Sequence, residues 1–418
     1  MLPGRMLPVR QQLTRRKLND IPGAVRREIA SVDWKLAPGA RVAIGVGSRG
    51  ILNLAEIVRA VVDAFRAAGF RPFVFPAMGS HGAATAAGQA KVLAHYGVDA
   101  ERMGCPVESS FDVISPGRTE EGIETFAGKD AWESDGIFLI NRLKWHTSFE
   151  GSIESGVCKM LAIGLGKIEA ARTCHGHARS LGMTNVIRSV AARLIETGKI
   201  LGGLAVLEDA CHDTAQVTAL AARDMIEREA ELLCLTKSWM GKIPVPALDI
   251  LIVDEIGKNI SGTGMDLKVV NRGVHGQYNL WPNTPSVQRI FIRSLSELSY
   301  GNGVGIGLAD VIHDRVLERI DVNAGRINAM TSGSLAAVRT PLHFASDREC
   351  MELLMATVGK FDDAEITIGR IRNTLELGTV WLSENLAEEI AKNPMLEVIG
   401  PATGPEFDAR GDFADQEG

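Results

Sequence analysis

Two histidines in this chain stand where α/β proteins do chemistry. His81 lies in Met78-Gly-Ser-His-Gly82 and His146 ends Asn141-Arg-Leu-Lys-Trp-His146; each segment directly follows an apolar run that reads as a strand. Imidazole titrates near neutrality, so a histidine held on a strand-end loop can take a proton and return it. His81, between glycines, is poorly packed and free to reach a ligand. His146 lies among Lys144, Thr147 and Glu150, which are polar neighbours rather than those of a core histidine. A third candidate is Lys159, where Glu154-Ser-Gly-Val-Cys-Lys159 enters an apolar stretch. Partial desolvation there should lower its pKa and favour a nucleophilic amine; the plain alternative is a lysine snorkelling at a helix end. Cys174-His-Gly-His177 groups side chains that bind borderline or soft metals. His175 and His177 would share a face on a strand and diverge on a helix. No second Cys/His group of matching spacing exists, so a single-histidine metal contact is expected rather than a closed zinc site.

Gly45-Val-Gly-Ser-Arg-Gly50 matches G-x-G-x-x-G, after a strand and before a helix. A dinucleotide site also wants an acid about twenty positions on, to hold a ribose, and the next strand instead ends in Phe75-Pro76. Two readings stay open beside it: a ligand-free turn, and an anion site in which Arg49 reads a carboxylate or phosphate. Asp254-Glu-Ile-Gly-Lys258 opens a glycine-rich loop running to Asp266, with Lys258 as its positive charge; the alternative is a structural omega loop. Gly166-Lys167 is not a phosphate loop, because Leu161 replaces its first glycine and Ile168 its Ser/Thr.

These segments need elements to hold them. Residues 41–46 read as a buried strand. Leu54, Ile57, Val58, Val61 and Phe65 then repeat at helical spacing, with Asn53 and Glu56 as a capping box and Gly69 as the stop. Further strands are expected at 72–75 and 136–141 and a helix at 85–96. After Pro244 and Pro246 a second such pattern brings strands at 247–253, 286–294 and 365–370 and a helix at 309–320. Alternation of this kind predicts an α/β protein of two α/β domains with mostly parallel sheets. The boundaries expected are 1–240, 241–403 and a flexible acidic tail at 404–418. The 418 residues carry 45 Lys+Arg against 51 Asp+Glu, a formal net charge of -6, which gives no basic footprint for nucleic acid. Six cysteines with no C-x-x-C pair point to a reducing compartment. The first residues lack the apolar core of a secretory signal, and no run is long enough to span a membrane, so a cytoplasmic protein is expected.

Taken in chain order, these residues resemble the nickel-pincer lactate racemase family of 2-hydroxyacid racemases and epimerases, in particular a functionally unassigned lactate-racemase-like branch. The resembling segments are Pro8-Val-Arg-Gln-Gln, Val46-Gly-Ser-Arg-Gly-Ile-Leu-Asn53, Pro76-Ala-Met-Gly-Ser-His-Gly82, residues 141–151, Ile153-Glu-Ser-Gly-Val-Cys-Lys-Met160, residues 253–266 and Gly303-Val-Gly-Ile-Gly-Leu-Ala-Asp310. The resemblance implies an isomerase acting on a small 2-hydroxyacid, with an active site in an interdomain cleft. It also implies a nickel-pincer nucleotide, the pyridinium-3-thioamide-5-thiocarboxylic acid mononucleotide with its nickel. Lys159 matches the lysine tethered to that cofactor, His175 the nickel ligand, and His81 and His146 the two catalytic histidines. Arg49, with Ser48 and Gly47, matches the cofactor-binding turn; Arg49 and Lys258 match substrate-binding cations. The implied reaction removes hydride from the α-carbon while a histidine takes the hydroxyl proton, then returns hydride to the other face. The chain departs from the familiar racemases at Val46, where they carry Asp, and from the branch at Trp145, where it has Pro, so the resemblance does not name the hydroxyacid. Two rival readings follow from the residues alone: an NAD(P)-dependent oxidoreductase using the G-x-G-x-x-G turn, and a non-catalytic carboxylate- or metal-binding protein. The oligomeric state is open, a homo-oligomer being compatible with everything above.

Overall fold

The structure, a computed structural model, describes residues 4–47, 51–79, 81–82 and 85–414, with only the backbone of 331–332. Its strands are, in chain order, β1 (Met6–Gln11), β2 (Arg41–Val46), β3 (Arg71–Pro76), β4 (Val113–Arg118), β5 (Glu124–Gly128), β6 (Gly136–Leu143), β7 (Ile200–Glu208) and β8 (Thr214–Ala221). They continue with β9 (Ala247–Val253), β10 (Ser286–Ile292), β11 (Val311–His313), β12 (Leu342–Phe344), β13 (Ile368–Ile371), β14 (Thr379–Ser383) and β15 (Leu396–Val398). Two compact units result, one of residues 14–240 and one combining 1–13 with 241–418. Mostly parallel sheets with helices make this the expected α/β class.

In the first unit the sheet order is β3-β2-β6-β7-β8, parallel except for the antiparallel edge strand β8. Its strands are near-continuous apolar runs because helices cover both faces. Ile44, Phe138 and Ile140 point into one core with the helix Leu54–Ala67, while Phe75, Ile137 and Leu139 point into the other with Leu161 and Val190. That helix buries Leu54, Ile57, Val58, Val61 and Phe65, the stripe its periodicity predicts. Its N-terminus differs from expectation: Asn53 adopts a left-handed backbone and its side chain makes no capping bond, so there is no capping box.

Chain order departs from spatial order between β2 and β6. From β2 the chain crosses to β3 on one side, and β6 later returns on the other side. Such a reversal leaves a crevice outside the carboxyl ends of the two strands, where open α/β sheets bind ligands.

The second unit holds an eight-stranded sheet, β12-β11-β10-β9-β13-β14-β1-β15, parallel from β12 to β13 and antiparallel beyond. Three sequence expectations differ from this. The first strand does not travel with the residues that follow it: β1 pairs with β14 and β15. The helix expected at 309–320 is the strand β11 followed by the short helix Asp314–Glu318, because Val-Ile-His enters the sheet beside β10. The chain beyond 404 is anchored rather than frayed through residue 414. Phe413 is buried, its N–H bonds Asp347, and Asp412 meets His313 Nε2 at 2.9 Å and the Arg315 guanidinium at 2.8 Å.

Candidate functional site

The crevice at the β2/β6 reversal is where the structure gathers most of the sequence candidates. Gly45, the first glycine of the G-x-G-x-x-G match, lies inside β2 rather than in the turn. A Cβ there would stand 2.5 Å from Leu139 and 2.8 Å from the Phe75 ring, so this glycine serves sheet packing. Gly47 lies just past β2. A Cβ on it would come 2.8 Å from Met160 Cε and 3.6 Å from Asn141 Oδ1, so the missing side chain keeps space open beside the Lys159 segment. Ser48 and Arg49 lie outside the described residues.

At the end of β6, Asn141 donates from Nδ2 to the Gly156 carbonyl at 2.7 Å, tying the strand to the segment that carries Lys159. His146 follows on a loop organised by the buried Glu154. That carboxylate accepts from the N–H groups of His146 and Gly151 and pairs with the Lys237 ammonium. His146 Nδ1 accepts from the Ser148 N–H at 3.1 Å, and its ring stacks on Phe149 with centroids 4.1 Å apart. The Lys159 ammonium lies 5.6 Å from the same Phe149 centroid, so the imidazole and the amine share one aromatic neighbour.

Lys159 ends one helical turn, Val157–Lys159, which passes into a π-helical turn, Met160–Gly164, and then the helix Lys167–Leu181. Glu229, wholly buried, accepts the Cys158 N–H at 2.9 Å and so caps the turn carrying Lys159. Burial pushes the Glu229 carboxyl up to about 7, the N–H groups of Cys158 and Val157 acting in the opposite sense. A Cβ on Gly156 would sit 2.3 Å from Glu229 Oε1, so only glycine admits this carboxylate.

The Cys174–His177 group is helical, so His175 and His177 diverge. Cys174 turns inward, its thiol 3.5 Å from the Ala162 carbonyl, and burial pushes its pKa up to about 12; it is no partner for His175 in holding a metal. His175 is exposed, yet enough protein surrounds it that desolvation, with the Lys159 charge added, lowers its pKa. Its imidazole is held toward the neutral form, the one that ligates metals.

His81 is exposed and lines a cavity of about 340 Å³ with Gly82, Lys91, Val92, His95 and Tyr96. Its loop packs on the helix of His175: a Cβ at Gly79 would lie 3.4 Å from Ala171, one turn before His175. In the second unit Lys258 follows β9, donating to the Gly262 carbonyl at 2.6 Å and to Asn328 Oδ1 at 3.0 Å. The sequence reading passed over Asn141, Phe149, Glu154 and Glu229. Of these Asn141, Phe149 and Glu154 sat in segments it quoted, and the acid within an apolar stretch was the one signal to follow.

The donors present fit a nickel-bearing pyridinium mononucleotide. An accessible, neutral-leaning imidazole adjoins a half-buried primary amine, and a glycine keeps room beside them. A second possible metal group among the described residues, His313 with Asp347 and Asp412, is already matched by the guanidinium groups of Arg293 and Arg315.

No protein-family model matches the chain, and no curated protein is similar to it. Among solved structures, the lactate racemase apoprotein from Thermoanaerobacterium thermosaccharolyticum is similar over 88% of this chain and 94% of its own, at 13% identity and a TM-score of 0.52. A protein from Thermotoga maritima is similar over 67% of this chain and 72% of its own, at 16% identity and a TM-score of 0.46. The chain therefore has a lactate-racemase-like α/β fold. Among the described residues no helix is long and apolar enough to cross a membrane.

Proposed function

We propose that this protein is a racemase or epimerase of a 2-hydroxycarboxylic acid that works with a nickel-pincer nucleotide. The observation that supports this most is the meeting of His146 and Lys159 about one aromatic ring, with Lys159 close enough to His175 to lower its pKa, in a chain of lactate-racemase-like fold. In this reading Lys159 tethers the cofactor, His175 holds its nickel, and Gly47, Ser48 and Arg49 contribute to binding it. When bound, the cofactor supplies uptake and return of a hydride at the substrate's α-carbon.

The chain's own groups do the rest. His146 takes the hydroxyl proton of one enantiomer and returns it. His81 does the same for the mirror-related substrate. Arg49 and Lys258 hold the carboxylate, so that the 2-oxoacid can turn its other face without leaving. Phe149 gives both groups an apolar neighbour. The substrate is a small 2-hydroxyacid.

The test incubates single enantiomers of 2-hydroxyacids with protein co-produced with the cofactor-synthesis enzymes and follows the opposite enantiomer by chiral chromatography. Conversion in the wild type, reduced roughly a hundredfold or more in each of His81→Ala and His146→Ala, is expected for loss of an acid–base group. Full conversion by either variant overturns the reading. Bound NAD(P) without nickel would support the oxidoreductase instead, and ligand affinity without turnover the non-catalytic binder.

A further inference from the structure

We propose that Lys167 and Gln89 are positioning residues that fix the loop carrying His81. The inference rests on the reading of His81 as an acid–base group.

The loop after β3 has carbonyls that no strand or helix satisfies, and buried carbonyls need donors. Two side chains supply them. The Lys167 ammonium donates to the Pro76 carbonyl, at the last residue of β3, and to Gln89 Oε1 at 3.2 Å. Gln89, wholly buried, then donates from Nε2 to the carbonyls of Met78 and Gly79, each at 3.0 Å, and reaches the His81 carbonyl at 3.5 Å. One ammonium and one carboxamide thus form a bracket that holds the carbonyls of Pro76, Met78, Gly79 and His81.

Lys167 is an improbable residue for its place unless the bracket matters. It is 2% exposed, and the charge of Asp130, which favours its ammonium, only partly offsets the burial. It also has φ of +57°, a left-handed backbone that disfavours any residue but glycine, asparagine or aspartate. Strain and a desolvated charge together mark positions that the surrounding structure holds for a purpose. Lys167 opens the helix that bears Ala171, against which Gly79 packs, and His175. The bracket therefore refers the His81 loop to the same helix that presents the candidate nickel ligand.

Gln89→Glu separates positioning from bulk stability. It keeps an acceptor for Lys167 and adds an ion pair, but it cannot donate to Met78 and Gly79. Lys167→Met removes the other arm, and Gln89→Leu stands in if that variant fails to fold. The full chain is followed by hydrogen exchange and by NMR titration of His81. The expected result is at least roughly tenfold faster exchange in 76–82, with 144–159 unchanged, and a shifted His81 titration in a protein whose melting temperature stays near wild type. In cofactor-loaded protein kcat falls roughly tenfold or more while KM moves less than about threefold, as expected when a positioned group is displaced rather than lost. Wild-type exchange and titration in folded Gln89→Glu overturn the bracket, whether or not the protein racemises anything. A loosened loop with wild-type kcat overturns the role of His81 and with it the positioning claim.

Discussion

Lys167 makes a stability prediction that needs no substrate. Burial lowers its pKa from 10.5 to about 8, the charge of Asp130 acting in the opposite sense. Below pH 8 the lysine is protonated in both folded and unfolded chains, and the folded chain carries the full penalty of a buried ammonium. Between pH 8 and 10.5 the unfolded chain holds a proton that the folded chain has released, so stability rises with pH. The slope is at most about 1.4 kcal/mol per pH unit, and the shift corresponds to about 3 kcal/mol in all. Lys167→Met removes the titration together with the hydrogen bonds to Pro76 and Gln89. The loss of the bonds is a constant offset, so the informative quantity is how the wild-type minus variant difference changes with pH. Urea denaturation from pH 7 to 10.5 should show wild type gaining about 3 kcal/mol on the variant, most of it above pH 8. A difference independent of pH would refute the argument, because Lys167 would then be no more desolvated when folded than when unfolded.

Two further predictions concern other buried groups. Glu154→Ala leaves Lys237 without its carboxylate and the N–H groups of His146 and Gly151 without their acceptor. It should cost about 3 kcal/mol in urea denaturation, as broken buried pairs do, and loosen 146–151 to hydrogen exchange; an unchanged loop would show that Glu154 does not organise it. Phe413→Ala removes a buried ring that lies 5.1 Å from the Arg293 guanidinium and 5.3 Å from that of Arg370, and should destabilise the second unit by about 3 kcal/mol. A neutral result would mean that the segment after 404 is as loose as its composition suggests.

The parallel strands were legible because burial on both faces writes itself as continuous apolar sequence: β2 and β9 have the bounds their residues predict. The helix Leu54–Ala67 was legible for the opposite reason, a clean amphipathic period. What failed was non-local or too short to have a period. Nothing in Met6–Gln11 says that its partners lie near residues 380 and 398, and three residues of β11 cannot outweigh a helical context. Phe407 and Phe413 are two aromatics in an acidic stretch, which composition reads as tail. In the site, chemistry-bearing residues were legible by type, as His146 and Lys159 were. Their supports were not, because a buried Gln89, Glu154 or Glu229 is recognised by the backbone groups it bonds. The sequence likewise suggested Lys159 as the desolvated amine, whereas the fold buries Lys167, and in the second unit Lys268, more deeply.

The central claim is tested most directly by intact-mass and peptide mass spectrometry, with nickel analysis, of protein co-produced with the cofactor-synthesis enzymes. The account predicts a mass increase confined to the peptide containing Lys159, lost in Lys159→Ala, and about one nickel per chain that falls in His175→Ala, as removal of a metal ligand requires. An unmodified Lys159 with no nickel in protein produced beside a lactate racemase that does become loaded would contradict it.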